Sequence, residues 1–180
     1  MRIVAGKLRH RIIEMTNLET TRETQDKVRQ AIYNMIGPYF DGGVCLDLFA
    51  GSGAMAFEAY SRGMEKIVLN DLNKDALNVC KKNAKSLGIS DVKFYNLDYL
   101  QFLNQNKENY DLIILDPPYK MNDIDGIVNS VYPFVKNNGL VVFEMDANSR
   151  YLDKYQNLEL IKDKLYGIKR VVIYRRLKDE

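Results

Sequence analysis

Two short stretches of this sequence combine residue types that bind ligands. The first, CLDLFAGSGAMAFEA at 45–59, is an apolar run that ends in an acid, followed by glycines and small residues and then by a helical pattern. Glycines let the backbone approach a ligand closely, and a loop of this kind between a strand and a helix is typical of nucleotide sites. The second, ILDPPYK at 114–120, places a carboxylate, two prolines and a tyrosine after an apolar run. These residue types indicate a site for a flat polar substrate.

The glycine loop by itself fits two ligands. Its GSGAMA segment matches the GxGxxA fingerprint of dinucleotide sites, and Asp71 follows Gly51 by twenty positions, where a carboxylate binds ribose hydroxyls. NAD and S-adenosylmethionine both contain such a ribose. Asp47 separates them, because a carboxylate at the strand end repels a pyrophosphate and attracts the ammonium group of S-adenosylmethionine. The loop therefore favours S-adenosylmethionine, with an NAD-dependent dehydrogenase as the alternative.

The DPPY segment predicts recognition of an exocyclic amine on a base. Prolines stiffen the loop and have no N–H group, which leaves their carbonyls as acceptors. The Asp116 carboxylate and the Pro117 carbonyl can each accept a hydrogen bond from an NH2 group, while Tyr119 stacks on the ring. A paired base cannot reach such a pocket. The substrate base must therefore be flipped out or already unpaired.

The two motifs must lie at one edge of a sheet to act together. Apolar runs predict strands, and helical patterns alternate with them; the strands are placed at 44–48, 66–70, 92–96, 110–116 and 140–144, and the helices at 54–61, 74–87, near Leu100 and at 124–135. This alternation predicts a parallel sheet with helices on both faces. Extended stretches at 157–167 and 168–177 add a terminal antiparallel hairpin. The fold class is therefore α/β, with a doubly wound sheet of seven strands.

Residues 1–40 precede this core and differ from it. Two β-like runs around a Gly-Lys turn and a helical pattern predict a β-hairpin plus helix extension. Four basic residues and no acid occur in the first eleven positions: Arg2, Lys7, Arg9 and Arg11. Such a hairpin can grip phosphates of a nucleic acid without reading its sequence. We expect one domain over 1–180, made of this extension and a catalytic core over 41–180.

The composition narrows the class of protein. The chain has 180 residues, 46% hydrophobic and 28% charged, which is ordinary for a globular protein. No apolar run approaches the ~20 residues of a membrane helix, and charges interrupt the N-terminus where a secretory signal would be apolar. We therefore expect a cytoplasmic protein. Two cysteines in apolar patterns, Cys45 and Cys80, and a single histidine predict no metal site.

These segments together resemble the RsmD family, within the Asp/Asn-Pro-Pro-Tyr class of amino-methyltransferases. The resemblance spans nearly the whole chain: RIVAGKLRHRII at the start, TRETQDKVRQAIYN in the first helix, CLDLFAGSGAMAFEAYSRG around the loop, and ILDPPY. It implies a Rossmann-like class I S-adenosylmethionine-dependent methyltransferase fold. It also implies S-adenosyl-L-methionine as the cofactor and N2 of a guanine in bacterial 16S rRNA as the target, guanine 966 in the family.

The resemblance also assigns roles to individual residues. For the cofactor it implies Phe49, Gly51 and Gly53 around the methionine part with Asp47 nearby, Asp71 on the ribose, and Asp98 on the adenine amine with Leu72 and Leu97 beside the ring. For the target guanine it implies the catalytic residues Asp116, Pro117, Pro118 and Tyr119. For RNA contact the extension offers Arg2, Lys7, Arg9, His10, Arg11, Arg22, Thr24 and Arg29.

One departure from the family is visible, since the family usually reads Arg-Pro-Thr where this chain has Arg22-Glu23-Thr24. Glu23 removes a stiffening proline and adds a negative charge beside the expected RNA surface. The expected partner is 16S rRNA in a small ribosomal subunit or its assembly intermediate, bound by a monomer that contacts no membrane. Two other functions remain: a DNA adenine-N6 methyltransferase with the same pocket, and a noncatalytic RNA-binding module on the same fold.

Overall fold

The computed structural model describes residues 1–16 and 25–179 and contains an eight-stranded sheet. The strands are β1 (Val44–Asp47), β2 (Lys66–Asn70), β3 (Val92–Tyr95), β4 (Tyr110–Leu115), β5 (Val135–Asp146), β6 (Lys154–Tyr155), β7 (Leu158–Tyr166) and β8 (Lys169–Arg176). Their order across the sheet is β3-β2-β1-β4-β5-β8-β7-β6. The first five in this order run parallel, and the last three pair antiparallel. The predicted α/β class and the five parallel strands are confirmed.

Five α-helices accompany these strands in the described part of the chain: α1 (Asp26–Ile36), α2 (Ala54–Ser61), α3 (Lys74–Leu87), α4 (Tyr99–Gln105) and α5 (Ile124–Val131). Local sequence sets their ends. The Asn73 side chain accepts hydrogen bonds from the first free N–H groups of α3, and Gly88 ends this helix with a φ of 71°. The Asp98 side chain caps α4 in the same way. The helices at 54–61 and 74–87 begin and end as predicted.

Two apolar cores lie on opposite faces of the sheet. One contains α1, α2 and α3 side chains with Ile3 and Ile13 of the N-terminal segment, and the other contains side chains of α4 and α5. β4 is buried along nearly its whole length, as expected for a central parallel strand covered on both sides. The extension therefore packs against one face of the sheet as part of the core.

Three predicted details are wrong. The sheet has eight strands where seven were predicted, because the two-residue β6 forms only by pairing with β7 and is too short for a periodic pattern. α5 ends at Val131 and gives way to a 3-10 turn containing Pro133, whose ring is incompatible with a continuing α-helix. β5 begins at Val135 where a strand from 140 was predicted, because its pairing with β4 extends to Tyr110 across a register shift.

The predicted N-terminal hairpin is reduced to a single bridge between Arg2 and Ile12. The segment is instead fixed to α2. Glu58 accepts hydrogen bonds from the N–H groups of Val4 and Ala5 at 2.8 and 3.1 Å. Gly6 has a φ of +87°, and a Cβ there would lie 1.9 Å from the Ser61 carbonyl oxygen, so only glycine allows this approach.

Within residues 1–16 and 25–179, the helices are all too short or too polar to cross a membrane. The organisation of the chain as one domain, with residues 1–40 as an extension of the core, stays a prediction.

Candidate active site

A cavity of about 360 Å³ opens at the carboxyl ends of the parallel strands. It lies where β1 and β4 are neighbours and the chain leaves them toward opposite sides, which is where open α/β sheets bind ligands. Both sequence motifs contribute to its wall, together with the loops after β2 and β3; the lining residues are Phe49, Gly51, Asn70, Asp71, Leu72, Asn73, Leu97, Asp98, Tyr99, Asp116, Pro117, Pro118 and Met121. The tertiary structure thus brings 45–59 and 114–120 to one site.

The glycine loop is held from behind by α3. The Gly51 carbonyl accepts a hydrogen bond from Cys80 Sγ at 2.9 Å, and the Ser52 carbonyl accepts one from Asn83 Nδ2 at 3.0 Å. Gly53, at the N-terminus of α2, has a φ of +85°, and a Cβ there would lie 2.5 Å from the Phe57 ring. Gly53 therefore shapes the turn from within and does not line the cavity.

Asp71 is fixed at the end of β2 by the backbone around it. Its two carboxylate oxygens accept hydrogen bonds from the N–H groups of Gly51 and Asn73, both at 2.8 Å. These bonds join the glycine loop to the loop that starts α3. A carboxylate held this way at the cavity wall is suited to accept hydrogen bonds from vicinal hydroxyls.

The far wall, after β3, combines an acid with apolar side chains. Asp98 Oδ1 accepts a hydrogen bond from the Leu100 N–H at 2.9 Å. Leu72 lines the cavity although 70% of its surface is exposed, so a bound ligand would cover an apolar side chain that water now contacts. Tyr99 packs on Phe49 with 5.6 Å between ring centroids, and burial together with the nearby Asp123 raises its pKa.

Asn70 is a wall residue that the sequence analysis missed. Its side-chain amide donates hydrogen bonds to the carbonyls of Leu48 and Leu97, at 3.2 and 3.0 Å, and its oxygen accepts one from the Leu97 N–H. Asn70 therefore ties the loops after β1 and β3 to β2. The only sequence indication is an amide at the end of an apolar strand, where a buried polar group needs partners.

The Asp-Pro-Pro-Tyr loop separates the cavity from a smaller recess of about 30 Å³. Asp116, Pro117 and Pro118 line the cavity, whereas Tyr119, which is 55% exposed, lines the recess with residues at the end of β5. The two prolines border both spaces. A flat group between Asp116 and Tyr119 would therefore extend from the cavity wall into the recess.

Two further charged residues face Asp116. Lys169 Nζ lies 3.8 Å from Asp116 Oδ2 and 3.7 Å from Glu144 Oε1. The Glu144 side chain is fully buried, and only 18% of the Lys169 side chain is exposed. Neither residue belongs to a recognisable motif, and their approach to Asp116 depends on strand pairing between distant parts of the chain.

Asp47 does not line the cavity, because its place at the end of β1 leaves it 2% exposed. It lies at the buried end of β1, four positions before Gly51. Burial is the main cause that raises the pKa of the Cys45 thiol, and the charge of Asp47 adds to it. Among the described residues, no group of three or more His, Cys, Asp or Glu side chains is arranged to hold a metal ion.

The predicted RNA-contact residues divide into three groups. Five lie exposed on the N-terminal segment: Arg2, Lys7, Arg9, His10 and Arg11. Arg22 and Thr24, like Glu23, fall outside the described residues. The assignment of Arg29 is wrong, because its side chain is fully buried and donates to Glu58 at 3.1 Å and Asp26 at 2.9 Å. Arg29 fixes the extension to α2 and cannot reach a surface ligand.

Comparison with known proteins agrees with this geometry. A family model described as "Conserved hypothetical protein 95" matches residues 1–175. The chain belongs to this family. It is 34% identical to a Bacillus subtilis protein named putative rRNA methyltransferase YlbH, over 98% of this chain and 99% of that protein. It is 33% identical to the ribosomal RNA small subunit methyltransferase D of Haemophilus influenzae, over 97% of this chain and 93% of the relative. The resemblance to the RsmD family is confirmed.

A solved structure supports the same relationship. A putative methylase from Haemophilus influenzae superposes with a TM-score of 0.81 at 31% identity, covering 98% of each chain. The Rossmann-like methyltransferase fold predicted from the sequence is therefore confirmed.

Proposed function

We propose that the protein transfers the methyl group of S-adenosylmethionine to the exocyclic N2 amine of a guanine in 16S rRNA of the small ribosomal subunit, at guanine 966 as in the family. Methylation of rRNA with S-adenosylmethionine as the cofactor follows from the relatives; the base, the atom and the position are the proposal. The observation that carries it is the continuous cavity from Gly51 and Asp71 to Asp116 and Pro117.

The donor half of this cavity fits S-adenosylmethionine. The volume of the whole cavity, about 360 Å³, lies within the usual range for small-ligand sites. In this proposal Asp71 accepts hydrogen bonds from the ribose hydroxyls, and Asp98 accepts one from the adenine amine. Leu72 and Leu97 flank the adenine ring. Phe49 and the glycine loop remain for the methionine part, with the buried Asp47 adding negative charge at the end of β1. When bound, the cofactor supplies an electrophilic methyl group on a sulfonium.

The acceptor half presents the groups that an exocyclic amine needs. The Asp116 carboxylate and the Pro117 carbonyl each accept a hydrogen bond from one N–H group of the amine, which turns the nitrogen lone pair out of conjugation with the ring. Pro118 keeps the loop rigid, and the exposed ring of Tyr119 stacks on the base. Transfer would form the N–C bond as the C–S bond of the donor breaks, which would release S-adenosylhomocysteine, and the proton lost from the nitrogen would pass to solvent.

The exposed basic residues of the N-terminal segment support an RNA substrate. Lys7, Arg9 and Arg11 lie on one short segment, and Lys7 Nζ is 3.9 Å from the centroid of the Tyr60 ring. Contacts from these side chains to phosphates would position an RNA without reading its sequence. A monomeric protein in the cytoplasm that acts on the small subunit or an assembly intermediate is part of the proposal.

The decisive experiment identifies the methylated nucleoside. Small ribosomal subunits and naked 16S rRNA from cells that lack the enzyme are incubated with the protein and labelled S-adenosylmethionine, then digested to nucleosides. We expect N2-methylguanosine at one position; methyladenosine would contradict the guanine assignment. Asp116→Ala should lower kcat at least a hundredfold and leave the affinity for the cofactor nearly unchanged. The control is Asp91→Ala, which replaces an exposed acid before β3 and should behave as the wild type.

A further inference from the structure

Lys169 is the basic side chain that approaches both Asp116 and Glu144, although no sequence motif includes it. It is the first residue of β8, directly after the β7–β8 turn, and its register partner on β5 is Asp146. This pairing carries Lys169 to the edge of the sheet where the Asp-Pro-Pro-Tyr loop begins.

Strand geometry explains why three charges converge there. Leu115, the last residue of β4, pairs with Phe143 on β5, so the residues that follow them, Asp116 and Glu144, point to the same side of the sheet. Glu144 is opposite Val171 on β8, and Lys169 is two positions earlier on that strand, which makes it a diagonal neighbour on the same face. The carboxylates of Asp116 and Glu144 and the ammonium group of Lys169 therefore meet at this edge of the sheet.

The arrangement is electrostatically unusual because all three groups have little contact with water. The exposed fractions of the side chains are 12% for Asp116, 0% for Glu144 and 18% for Lys169. Two carboxylates that share a poorly solvated site repel each other, and an ammonium group within 4 Å of both offsets that repulsion. Its removal takes away that offset and leaves the repulsion between the two acids stronger.

We propose that Lys169 is a positioning residue of the acceptor site, which holds the Asp116 carboxylate in the orientation that accepts the amine of the base. The inference rests on the proposed function, in which Asp116 holds that amine. Lys169 acts through Asp116 and touches neither the cofactor nor the methyl group. Without its charge, Asp116 turns away from Glu144 and the amine loses its acceptor.

The test compares Lys169→Met, Lys169→Gln and Lys169→Arg with Lys164→Met, which removes an exposed lysine of β7. For each variant, kcat, KM for rRNA, the Kd of S-adenosylhomocysteine and the thermal midpoint are measured. We expect kcat to fall about 10- to 100-fold in Lys169→Met and Lys169→Gln, with the Kd of S-adenosylhomocysteine within twofold of wild type. Lys169→Arg, which keeps the charge, should recover most of kcat, and Lys164→Met should not differ from wild type.

Two results would overturn the inference. One is an unchanged kcat in Lys169→Gln, and the other is a parallel loss of kcat, cofactor affinity and thermal midpoint that Lys169→Arg does not relieve. If Lys169→Met fails to fold, the kcat of Lys169→Gln provides the test. The wild type in the same assay separates the two levels: a wild-type protein that makes no N2-methylguanosine contradicts the proposed function, whereas an active wild type with a fully active Lys169→Gln contradicts the inference alone.

Discussion

Replacement of the buried Glu58 by alanine should destabilise the protein more than the replacement of an exposed residue does. Glu58 lies on α2 and is fully buried, and its carboxylate pairs with Arg29 Nε at 3.1 Å and with Arg62 Nε at 2.8 Å. It also accepts hydrogen bonds from the N–H groups of Val4 and Ala5. One side chain therefore joins α1, α2 and the N-terminal segment.

The magnitude follows from what the alanine variant leaves behind. Two buried guanidinium groups and two backbone N–H groups lose their acceptor, although Arg29 keeps its contact with Asp26. Removal of one partner from a buried ion pair costs about 3–5 kcal/mol. A chain of this length shifts its thermal midpoint by about 2–4 °C per kcal/mol. We therefore expect a midpoint lower by about 6–20 °C.

The assay is reversible urea and thermal unfolding followed by circular dichroism. Glu65→Ala is the matched control, since Glu65 is exposed shortly after α2. It should change the free energy of unfolding by less than about 0.5 kcal/mol. If Glu58→Ala costs less than about 1 kcal/mol, the carboxylate does not hold the extension against α2, and the structural explanation for the burial of Arg29 fails with it.

Three further predictions concern the ligands and the pH. Asp71→Asn should weaken S-adenosylhomocysteine binding at least tenfold in calorimetry, because charged hydrogen bonds contribute about 1.5–3 kcal/mol each; an unaltered Kd would remove Asp71 from the ribose site. The double variant Arg9→Ala, Arg11→Ala should reduce the slope of log K against log salt for RNA by about 1.4–1.8, and an unchanged slope counts against phosphate contact. Burial raises the pKa of Tyr155 to about 12, above its unfolded value of about 10, so the stabilisation is complete below pH 10 and is lost as the pH rises to 12. Tyr155→Phe should flatten the pH dependence of unfolding in that window, and an equally steep curve would show that another group titrates.

Most helices and strands could be predicted from the sequence because the residues that specify them are close together in the chain. The strand at 66–70 and the helix at 74–87 have the predicted bounds, since apolar periodicity, Asn73 and Gly88 specify them within a few residues. Pro133 lies within the helix predicted at 124–135, and α5 ends before it because a proline ring is incompatible with a continuing α-helix. β6 carries no such signal because its two residues gain their conformation from pairing with β7.

The candidate site likewise has a part that the sequence predicts and a part that only the tertiary structure shows. The sequence determined which residue types follow β1, β2, β3 and β4, and parallel strands necessarily bring those loops to one edge of the sheet. The burial of Arg29 was not accessible, because an arginine in a basic segment has the same pattern whether it meets RNA or a buried Glu58. The approach of Lys169 to Asp116 was not accessible either. It depends on the register between β5 and β8, and a shift by one residue would turn the lysine to the other face of the sheet.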